Sequence, residues 1–265
     1  MPSLYPKKTQ KMENRNRIVL VTGGSRGLGK DMALRLAEKG LDVIITYRSE
    51  KEQALAVVTS IRQQGRKAAA LQLDTGEVHG FDAFYTTLAG VLKNEFDATR
   101  FDYLVNNAGI GIHALFQDTT EDQFDQLLNV QFKGVFFLTQ KALPWLNDGG
   151  GIVNISTGLA RFSLPGYSAY ASMKGAIETL TRYQAKELGS RGIRVNVVAP
   201  GAIATDFGGG AVRDNPQLNA GIKAVTALGR VGEAEDIGGV VAFLCTDEAR
   251  WVTAQRIEVS GGMNL

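Results

Sequence analysis

The sequence is poor in the residues that build disulfides and metal centres. It contains one cysteine, Cys245, and two histidines among 265 residues. A single cysteine cannot form an internal disulfide, and thiol-rich metal sites are excluded. His79 and His113 have no cysteine or carboxylate partner at ligand spacing, so we interpret both as surface histidines and predict no metal site. The low cysteine content also favours a cytoplasmic location.

Strong charge bias and long apolar runs are also absent. The net charge is +2 and the charged residues are scattered, which argues against a nucleic-acid-binding surface and a polybasic membrane anchor. Residues 1–16 contain basic side chains and no apolar stretch, so they are neither a secretory signal nor a membrane span. We predict that residues 1–16 form a disordered extension.

The sequence instead alternates short β-branched runs with longer amphipathic segments. The apolar runs are Ile18–Val21, Val43–Thr46, Ala68–Leu73, Tyr103–Val105, Ile152–Ile155, Val195–Val198 and Arg256–Val259. The amphipathic segments are Gly29–Lys39, Ala54–Gln64, Phe81–Phe96, Gln123–Leu143, Ala169–Leu188 and Ile237–Leu244. Near-continuous apolar runs are typical of parallel strands buried on both faces. We predict an α/β fold, a single doubly wound Rossmann domain over residues 17–265, with a parallel sheet of about seven strands and helices on both faces.

A glycine-rich turn joins the first predicted strand to the first predicted helix. Residues 22–29 read Thr-Gly-Gly-Ser-Arg-Gly-Leu-Gly, with Gly23, Gly27 and Gly29 in the spacing Gly-x-x-x-Gly-x-Gly. Glycines allow a tight turn and close approach of the backbone to a pyrophosphate, while the helix N-terminus offers N–H groups and a favourable dipole. The turn therefore predicts a nucleotide site.

The end of the second strand bears on the choice of nucleotide. An acidic residue there would bond a free ribose 2′-hydroxyl and repel a 2′-phosphate. This chain has Tyr47 and Arg48 at that point, and Arg26 lies in the glycine turn. The two arginines can form charge-assisted contacts with a 2′-phosphate, or they can be solvated surface charges. We predict NADP(H) in preference to NAD(H), which stays possible.

Tyr170 and Lys174 are four residues apart in a predicted helix. Residues at this spacing are neighbours on one helix face. A nearby ammonium favours the phenolate, so it lowers the tyrosine pKa from its usual value of about 10 and allows proton transfer near neutrality. Carbonyl reduction requires such a group, although the pattern alone is common in helices.

With these features the chain resembles the short-chain dehydrogenase/reductase family, in particular its 3-oxoacyl-ACP reductase-like members. The resemblance rests on five motifs in the expected order: Thr22–Gly29, Asn106–Gly109, Tyr170 with Lys174, Pro200–Thr205 and Ser260–Gly262. It covers almost all of residues 17–265. It implies an NAD(P)-dependent oxidoreductase.

The resemblance also implies roles for individual residues. Asn107 would brace the cofactor-binding strand ends, Asp74 would lie near the adenine, and Ile203 and Thr205 would hold the nicotinamide carboxamide. The full predicted cofactor site is Gly23, Ser25, Arg26, Gly27, Leu28, Gly29, Arg48, Asp74, Thr75, Asn107, Gly109, Tyr170, Lys174, Pro200, Gly201, Ile203 and Thr205.

For catalysis, the resemblance implies that Tyr170 protonates the carbonyl oxygen and that Lys174 lowers its pKa while binding the nicotinamide ribose. The family's serine, thirteen residues before the tyrosine, is here Thr157. Threonine keeps the hydroxyl but has a stiffer χ1. Ser156 is the rival hydroxyl, and neighbouring residues on a strand point to opposite faces. A shifted register would exchange the two.

The family's fourth partner is an asparagine in a proton relay, and its position here falls on Gln131. We predict that Gln131 supplies the backbone group of that relay. Asn129 is a tempting substitute, but two positions turn a helical side chain by about 200°, away from the same face. We interpret Asn129 as a surface or cap-like residue.

Several segments bear on the substrate. Residues 207–225, which include Arg213 and Asn215, lie where the family places a mobile lid. His113, Leu159, Phe162 and Tyr167 would line a mixed apolar and aromatic pocket, with Tyr167 a lining residue and not the acid. The predicted activity is reduction of a 3-oxoacyl thioester or a small or cyclic ketone to a secondary alcohol. The alternatives are a weakly active or inactive dinucleotide-sensing protein and an NAD-dependent sugar or steroid alcohol dehydrogenase.

Residues 130–138 are apolar around more of the helix than a one-sided surface helix requires. A subunit contact and deep burial in the monomer explain this pattern about equally well. The resemblance implies that this helix pairs with the helix of Tyr170 across a subunit interface. We therefore expect a homotetramer or a homodimer, with a small carbonyl or alcohol as substrate and neither nucleic acid nor a membrane as partner.

Overall fold

Seven parallel strands form one sheet in the order β3-β2-β1-β4-β5-β6-β7. We describe residues 16–265 of a computed structural model. The predicted N-terminal extension lies outside the described residues, apart from Asn16. The strands are β1 (Ile18–Val21), β2 (Asp42–Tyr47), β3 (Ala68–Gln72), β4 (Phe101–Asn106), β5 (Leu146–Ile155), β6 (Arg194–Pro200) and β7 (Arg256–Val259). The predicted doubly wound fold is confirmed.

Helices cover both faces of the sheet. They are α1 (Gly27–Glu38), α2 (Lys51–Gln63), α3 (Phe81–Phe96), α4 (Glu121–Leu128), α5 (Gly134–Ala142), α6 (Ser168–Leu188), α7 (Ala211–Asp214), α8 (Pro216–Ala224) and α9 (Ala234–Leu244). Val19 and Val21 of β1 pack in one hydrophobic core with α1, α2 and α9. Ile18 and Leu20 pack in the other with α3, α5 and α6. Alternate residues of β1 thus enter opposite cores, which explains why its sequence is apolar throughout.

The connection order reverses beside β1, because β2 and β3 lie on one side of it and β4 to β7 on the other. In doubly wound sheets the loops at such a point diverge and leave a crevice at the carboxyl ends of the strands. The glycine turn follows β1 and Asn107 follows β4. The predicted nucleotide motifs therefore meet at the crevice.

The predicted helix over residues 123–143 is wrong in one respect. Asn129–Lys133 form a π-helical turn between α4 and α5. Gly134 explains part of the geometry, since a Cβ there would lie 1.9 Å from the Thr75 carbonyl oxygen. The glycine allows this helix to approach the loop after β3. Single π turns inside helices occur frequently at functional sites, and this one carries Gln131.

Residues 207–225 are more regular than the predicted mobile loop. A 3₁₀ turn at Phe207–Gly210 leads into α7 and α8. Asn215 caps α8 because its side chain accepts a hydrogen bond from the Leu218 N–H at 3.0 Å, and Pro216 occupies the first turn. The segment consists of two short helices after a glycine-rich start. Among residues 16–265, no helix is long and apolar enough to cross a membrane.

Candidate functional site

A cleft of about 630 Å³ lies at the carboxyl ends of the central strands. Every residue predicted for the cofactor site lines this cleft. Three of the four residues predicted to surround the substrate, Leu159, Phe162 and Tyr167, also line it, together with the predicted catalytic residues Gln131, Thr157, Tyr170 and Lys174. The motifs, which are distributed over more than 180 residues of sequence, form one continuous surface.

The glycine turn has the geometry that its sequence predicts. Gly23 and Gly27 have φ angles of +66° and +53°, a region that side chains disfavour. A Cβ at Gly29 would lie 2.1 Å from the Gly23 carbonyl oxygen, so the first turn of α1 can pack there only as glycine. Arg26 is the N-cap and makes no side-chain cap hydrogen bond, and the first turn contains no acidic residue. The positive end of the helix dipole thus faces the cleft and suits a phosphate group.

Asn107 joins the ends of β1 and β4. Its Nδ2 atom donates to the carbonyl oxygens of Thr22 at 2.9 Å and Gly23 at 3.2 Å. The Thr22 hydroxyl in turn accepts from the N–H groups of Asn107 and Ala108, both at 3.0 Å. These bonds fix the glycine turn against the loop after β4.

Arg48 and Asp74 form an ion pair at the far end of the cleft. The Nε atom of Arg48 lies 3.0 Å from Asp74 Oδ2, while Asp74 Oδ1 accepts from the Gly76 N–H at 2.9 Å. Sequence reasoning missed that Glu50 also lines this end. The position of Glu50, three residues after the end of β2, is the sequence feature that could have indicated this. Arg48 bonds Asp74 through Nε, which leaves the two Nη atoms for an anion.

Tyr170 and Lys174 are both buried on one face of α6. The Nζ atom of Lys174 lies 5.8 Å from the centre of the Tyr170 ring and donates to the Ile155 carbonyl oxygen at 2.8 Å. Burial raises the pKa of Tyr170, while a side-chain hydrogen bond with Thr157 lowers it. Burial also lowers the pKa of Lys174 to about 7. The spacing predicts a lowered tyrosine pKa, but in this structure burial raises the pKa of Tyr170 and outweighs the opposing effect of Thr157.

The structure places Thr157 and Ser156 in different surroundings. Thr157 lowers the pKa of Tyr170, and its hydroxyl accepts from the Leu159 N–H at 3.3 Å. The Ser156 hydroxyl donates to Glu178 Oε1 at 2.7 Å. Arg256 bonds the same carboxylate through Nε at 2.8 Å and the Thr157 carbonyl oxygen through Nη2 at 3.3 Å. Both residues line the cleft, but the Ser156 hydroxyl is engaged by Glu178, whereas Thr157 acts on the pKa of Tyr170.

Gln131 is completely buried in the π turn. Its Nε2 atom donates to the Ile110 carbonyl oxygen, and its Oε1 atom has no hydrogen-bond partner among the described residues. The side chain also lies against Gly109, where a Cβ would be 3.0 Å from Oε1. Gln131 thus ties the π turn to the loop after β4. Asn129 directly follows α4 with helical backbone angles and begins the π turn.

The end of the cleft beyond Tyr170 is apolar. Phe162, Leu164, Phe207 and Met263 line it. Sequence reasoning proposed Phe162 but missed the other three, which come from separate segments without a shared motif. His113 does not line the cleft and packs instead on Tyr167 with ring centres 5.0 Å apart. Within residues 16–265, no group of His, Cys, Asp and Glu could hold a metal ion.

Comparisons with known proteins agree with this geometry. The sequence profile of a family described as enoyl-(acyl carrier protein) reductase matches residues 23–264. The 3-oxoacyl-[acyl-carrier-protein] reductase FabG of Staphylococcus aureus is 38% identical over 248 residues, which span 93% of this chain and 97% of that protein. An uncharacterized oxidoreductase of Methylorubrum extorquens is 38% identical over 247 residues, which span 93% and 97%.

Two solved structures are similar throughout. The promiscuous reductase LugOII, described as catalysing keto-reduction at C1 during lugdunomycin biosynthesis, has a TM-score of 0.88 and 40% identity over 94% of this chain and 97% of its own. The angucycline C-6 ketoreductase LanV with bound NADP has a TM-score of 0.89 and 36% identity over 94% and 95%. With these matches to its full catalytic fold, the chain belongs to the short-chain dehydrogenase/reductase family and is an NAD(P)-dependent oxidoreductase.

Proposed function

We propose that the protein is an NADPH-preferring carbonyl reductase that converts a ketone to a secondary alcohol. The observation that carries this proposal is that Tyr170, Thr157 and Lys174 line the same cleft as the glycine turn. Two hydroxyls in one cleft can bind one carbonyl oxygen together, and one of them can give it a proton.

The residues present fit a dinucleotide. The positive-φ turn and the open N-terminus of α1 would hold the pyrophosphate, and Arg26 with Arg48 would hold a 2′-phosphate. Ile203 and Thr205 would contact the nicotinamide end. When bound, the reduced dinucleotide supplies the hydride. LanV, which is described with bound NADP, supports the same preference here.

Tyr170 is suited to the work of a general acid. Burial raises its pKa, so the phenol keeps its proton at neutral pH until it can pass it to a developing alkoxide. Thr157 would donate to the same oxygen and orient the ketone. Lys174, with a pKa lowered to about 7, can hold or release a proton at neutral pH and can restore the proton of Tyr170. Gln131 would position the loop at Ile110 and supply the backbone of the π turn to the relay.

The relatives bear on the substrate and on the reaction. FabG is described as a 3-oxoacyl reductase, and LugOII and LanV as reductases of ketones. These descriptions support 3-oxoacyl thioesters and small or cyclic ketones as substrate classes. The matching profile is described as an enoyl reductase. Ketone reduction is favoured because the cleft brings together two hydroxyls, of Tyr170 and Thr157, which can bind and protonate a carbonyl oxygen.

The proposal is tested by the loss of NADPH absorbance with an acetoacetyl thioester, a cyclic diketone, a keto sugar and an enoyl thioester. We expect turnover of a ketone that disappears in Tyr170→Phe, while NADPH binding persists. Tyr167→Phe is the matched control and should keep turnover, because Tyr167 contacts His113 at the edge of the site. Binding of NADPH without turnover of any ketone would favour a dinucleotide-sensing protein. Preference for NADH together with turnover of a sugar or steroid alcohol would favour an NAD-dependent alcohol dehydrogenase.

The proposal includes a homotetramer or homodimer in the cytoplasm. Val135 and Leu138 are buried within the subunit, whereas Phe136 is 37% exposed and packs on Phe132 and Phe137. On α6, Tyr183 is 64% exposed. Aromatic side chains left exposed on α5 and α6 support a subunit contact there. The single cysteine supports a reducing compartment.

A further inference from the structure

Phe207 stands opposite Tyr170 at the entrance to the substrate end of the cleft. The two ring centres are 6.0 Å apart, with an angle of 54° between the ring planes. On its other side the Phe207 ring packs on the backbone of Gly111, where a Cβ would lie 2.7 Å from the ring. A side chain at position 111 would displace the ring. Phe207 is nevertheless 47% exposed, so a large apolar surface faces the cleft.

Hydrogen bonds hold the backbone on the N-terminal side of Phe207, and three glycines follow on its C-terminal side. Its N–H donates to the Thr205 hydroxyl at 3.3 Å, and the preceding residue, Asp206, pairs with Arg213 at 2.6 Å. The three residues that follow, Gly208 to Gly210, have φ angles of +61°, +73° and +78°. Glycine reaches such angles without strain, so rotation about this run costs little. The ring can therefore shift while its N-terminal side stays attached.

The surroundings of Phe207 do not favour anionic substrates. Among the described residues, the charged side chains that line the cleft are Arg26, Arg48, Glu50, Asp74, Lys174 and Asp206. The first four lie at the nucleotide end, Lys174 is buried against Ile155, and Asp206 is paired with Arg213. The substrate end therefore lacks a cation that could hold a carboxylate or a phosphate. Its walls come from two hydrophobic clusters, one containing Tyr170 and the other Ile222 and Met263.

We propose that Phe207 is a specificity-determining residue, whose ring packs on a flat, uncharged aromatic ketone while the ketone oxygen reaches Tyr170 and Thr157. This inference rests on the proposed ketone reduction and narrows its substrate class to fused aromatic rings. Aromatic pairs prefer centre distances of about 4.5–7 Å in offset or tilted arrangements. The 6.0 Å between the ring centres of Phe207 and Tyr170 leaves no room for a third ring between them. When the substrate binds, Phe207 therefore rotates away from Tyr170 and covers one face of the substrate.

The test compares α-tetralone, a fused aromatic ketone, with cyclohexanone, in wild type and in Phe207→Tyr, Phe207→Leu and Phe207→Ala. We expect the ratio of kcat/KM for α-tetralone over cyclohexanone to stay unchanged in the tyrosine variant. The ratio should fall in the leucine variant and fall about tenfold in the alanine variant, as loss of an aromatic contact implies. Phe116→Ala is the control, because Phe116 is 85% exposed and does not line the cleft.

A binding measurement separates this inference from the proposed function. With the NADP⁺-loaded protein, calorimetry should show β-naphthol binding more tightly than cyclohexanol, with the difference reduced about tenfold in Phe207→Ala. Equal affinity for the two alcohols in wild type, or equal changes for both in every Phe207 variant, would overturn the inference. Ketone turnover that depends on Tyr170 would then still support the proposed function. Absence of all turnover would contradict the proposed function. In that case the ratio of the affinities for β-naphthol and cyclohexanol, in wild type and in the Phe207 variants, would still decide whether Phe207 makes the aromatic contact.

Discussion

Lys174 donates its Nζ hydrogen bond to the Ile155 carbonyl oxygen at 2.8 Å, on the strand that leads directly to Thr157. This contact joins the middle of α6 to the end of β5. Lys174 is only 5% exposed, and this burial lowers its pKa from 10.5 to about 7. The helix thus holds a lysine whose proton is weakly bound near neutral pH.

We therefore predict a pH-dependent effect of Lys174→Met on stability. Between about pH 7 and 10 the unfolded chain binds a proton at Lys174 that the folded chain does not, so the free energy of unfolding of wild type rises with pH in this window. The cost of burying the lysine is complete below pH 7 and disappears above the pKa of the unfolded state. The free energy of unfolding of Lys174→Met relative to that of wild type should thus be highest at pH 6 and should fall steadily towards pH 10.

Urea unfolding of both proteins at several pH values measures this difference. The lost bond to Ile155 lowers the stability of the variant at every pH, so only the slope of the difference is diagnostic. A difference that does not change between pH 6 and 10 would contradict a lowered lysine pKa.

The two hydroxyls at the end of β5 give a second prediction. Thr157→Val should lower kcat about a hundredfold to a thousandfold, as loss of a donor to a developing oxyanion does, while Thr157→Ser should keep most of the activity. Ser156→Ala should change kcat little, because the Ser156 hydroxyl bonds Glu178 and not Tyr170. Steady-state kinetics at saturating NADPH measures all three. A larger loss in Ser156→Ala than in Thr157→Val would assign the role to Ser156.

Local patterns were enough to predict some of these features. The apolar runs predicted the buried strands, because β1 enters a hydrophobic core on each face. The alternation of side chains predicted different surroundings for Ser156 and Thr157, and their hydrogen bonds differ, although both line the cleft. The π turn could not be predicted, since it depends on the approach of Gly134 to the Thr75 carbonyl across 59 positions of sequence. The direction of the Tyr170 pKa shift also depends on burial by distant segments. The capping pair Asn215 and Pro216 was readable as a helix start, but the neighbouring glycines favoured a loop.

The exposed aromatic residues of α5 and α6 predict the assembly state. We expect wild type to sediment as a dimer or tetramer at micromolar concentration, and Phe136→Glu with Tyr183→Glu to shift it towards the monomer. Both side chains are exposed in the subunit, so charge there disturbs the contact between subunits and not the core. Phe116→Glu, at an exposed site on another segment, is the control. A monomeric wild type would contradict the proposed assembly.

Gly29 and Gly90 make a matched pair for the packing of the glycine turn. Gly29→Ala should destabilise the protein by about 1–3 kcal/mol, because its Cβ would lie 2.1 Å from the Gly23 carbonyl oxygen. Gly90→Ala should stabilise it by about 0.5–1 kcal/mol, since a Cβ in that helix has no neighbour within 4 Å. Urea unfolding distinguishes the two. Equal effects of the two substitutions would show that the close approach at Gly29 is not rigid.

Arg48 and Arg26 give the last prediction, which concerns the nucleotide. Arg48→Ala should raise the KM for NADPH about tenfold to a hundredfold, as loss of a charge-assisted hydrogen bond implies, and leave the KM for NADH nearly unchanged. Arg26→Ala should act in the same direction, because Arg26 lines the cleft at the N-cap position of α1 and makes no cap hydrogen bond that would occupy its charge. Lys30→Ala is the control: Lys30 is an exposed cation in the same helix but does not line the cleft. An equal rise of both KM values in Arg48→Ala would indicate that Arg48, through its ion pair with Asp74, shapes the adenine end without reading the 2′-phosphate.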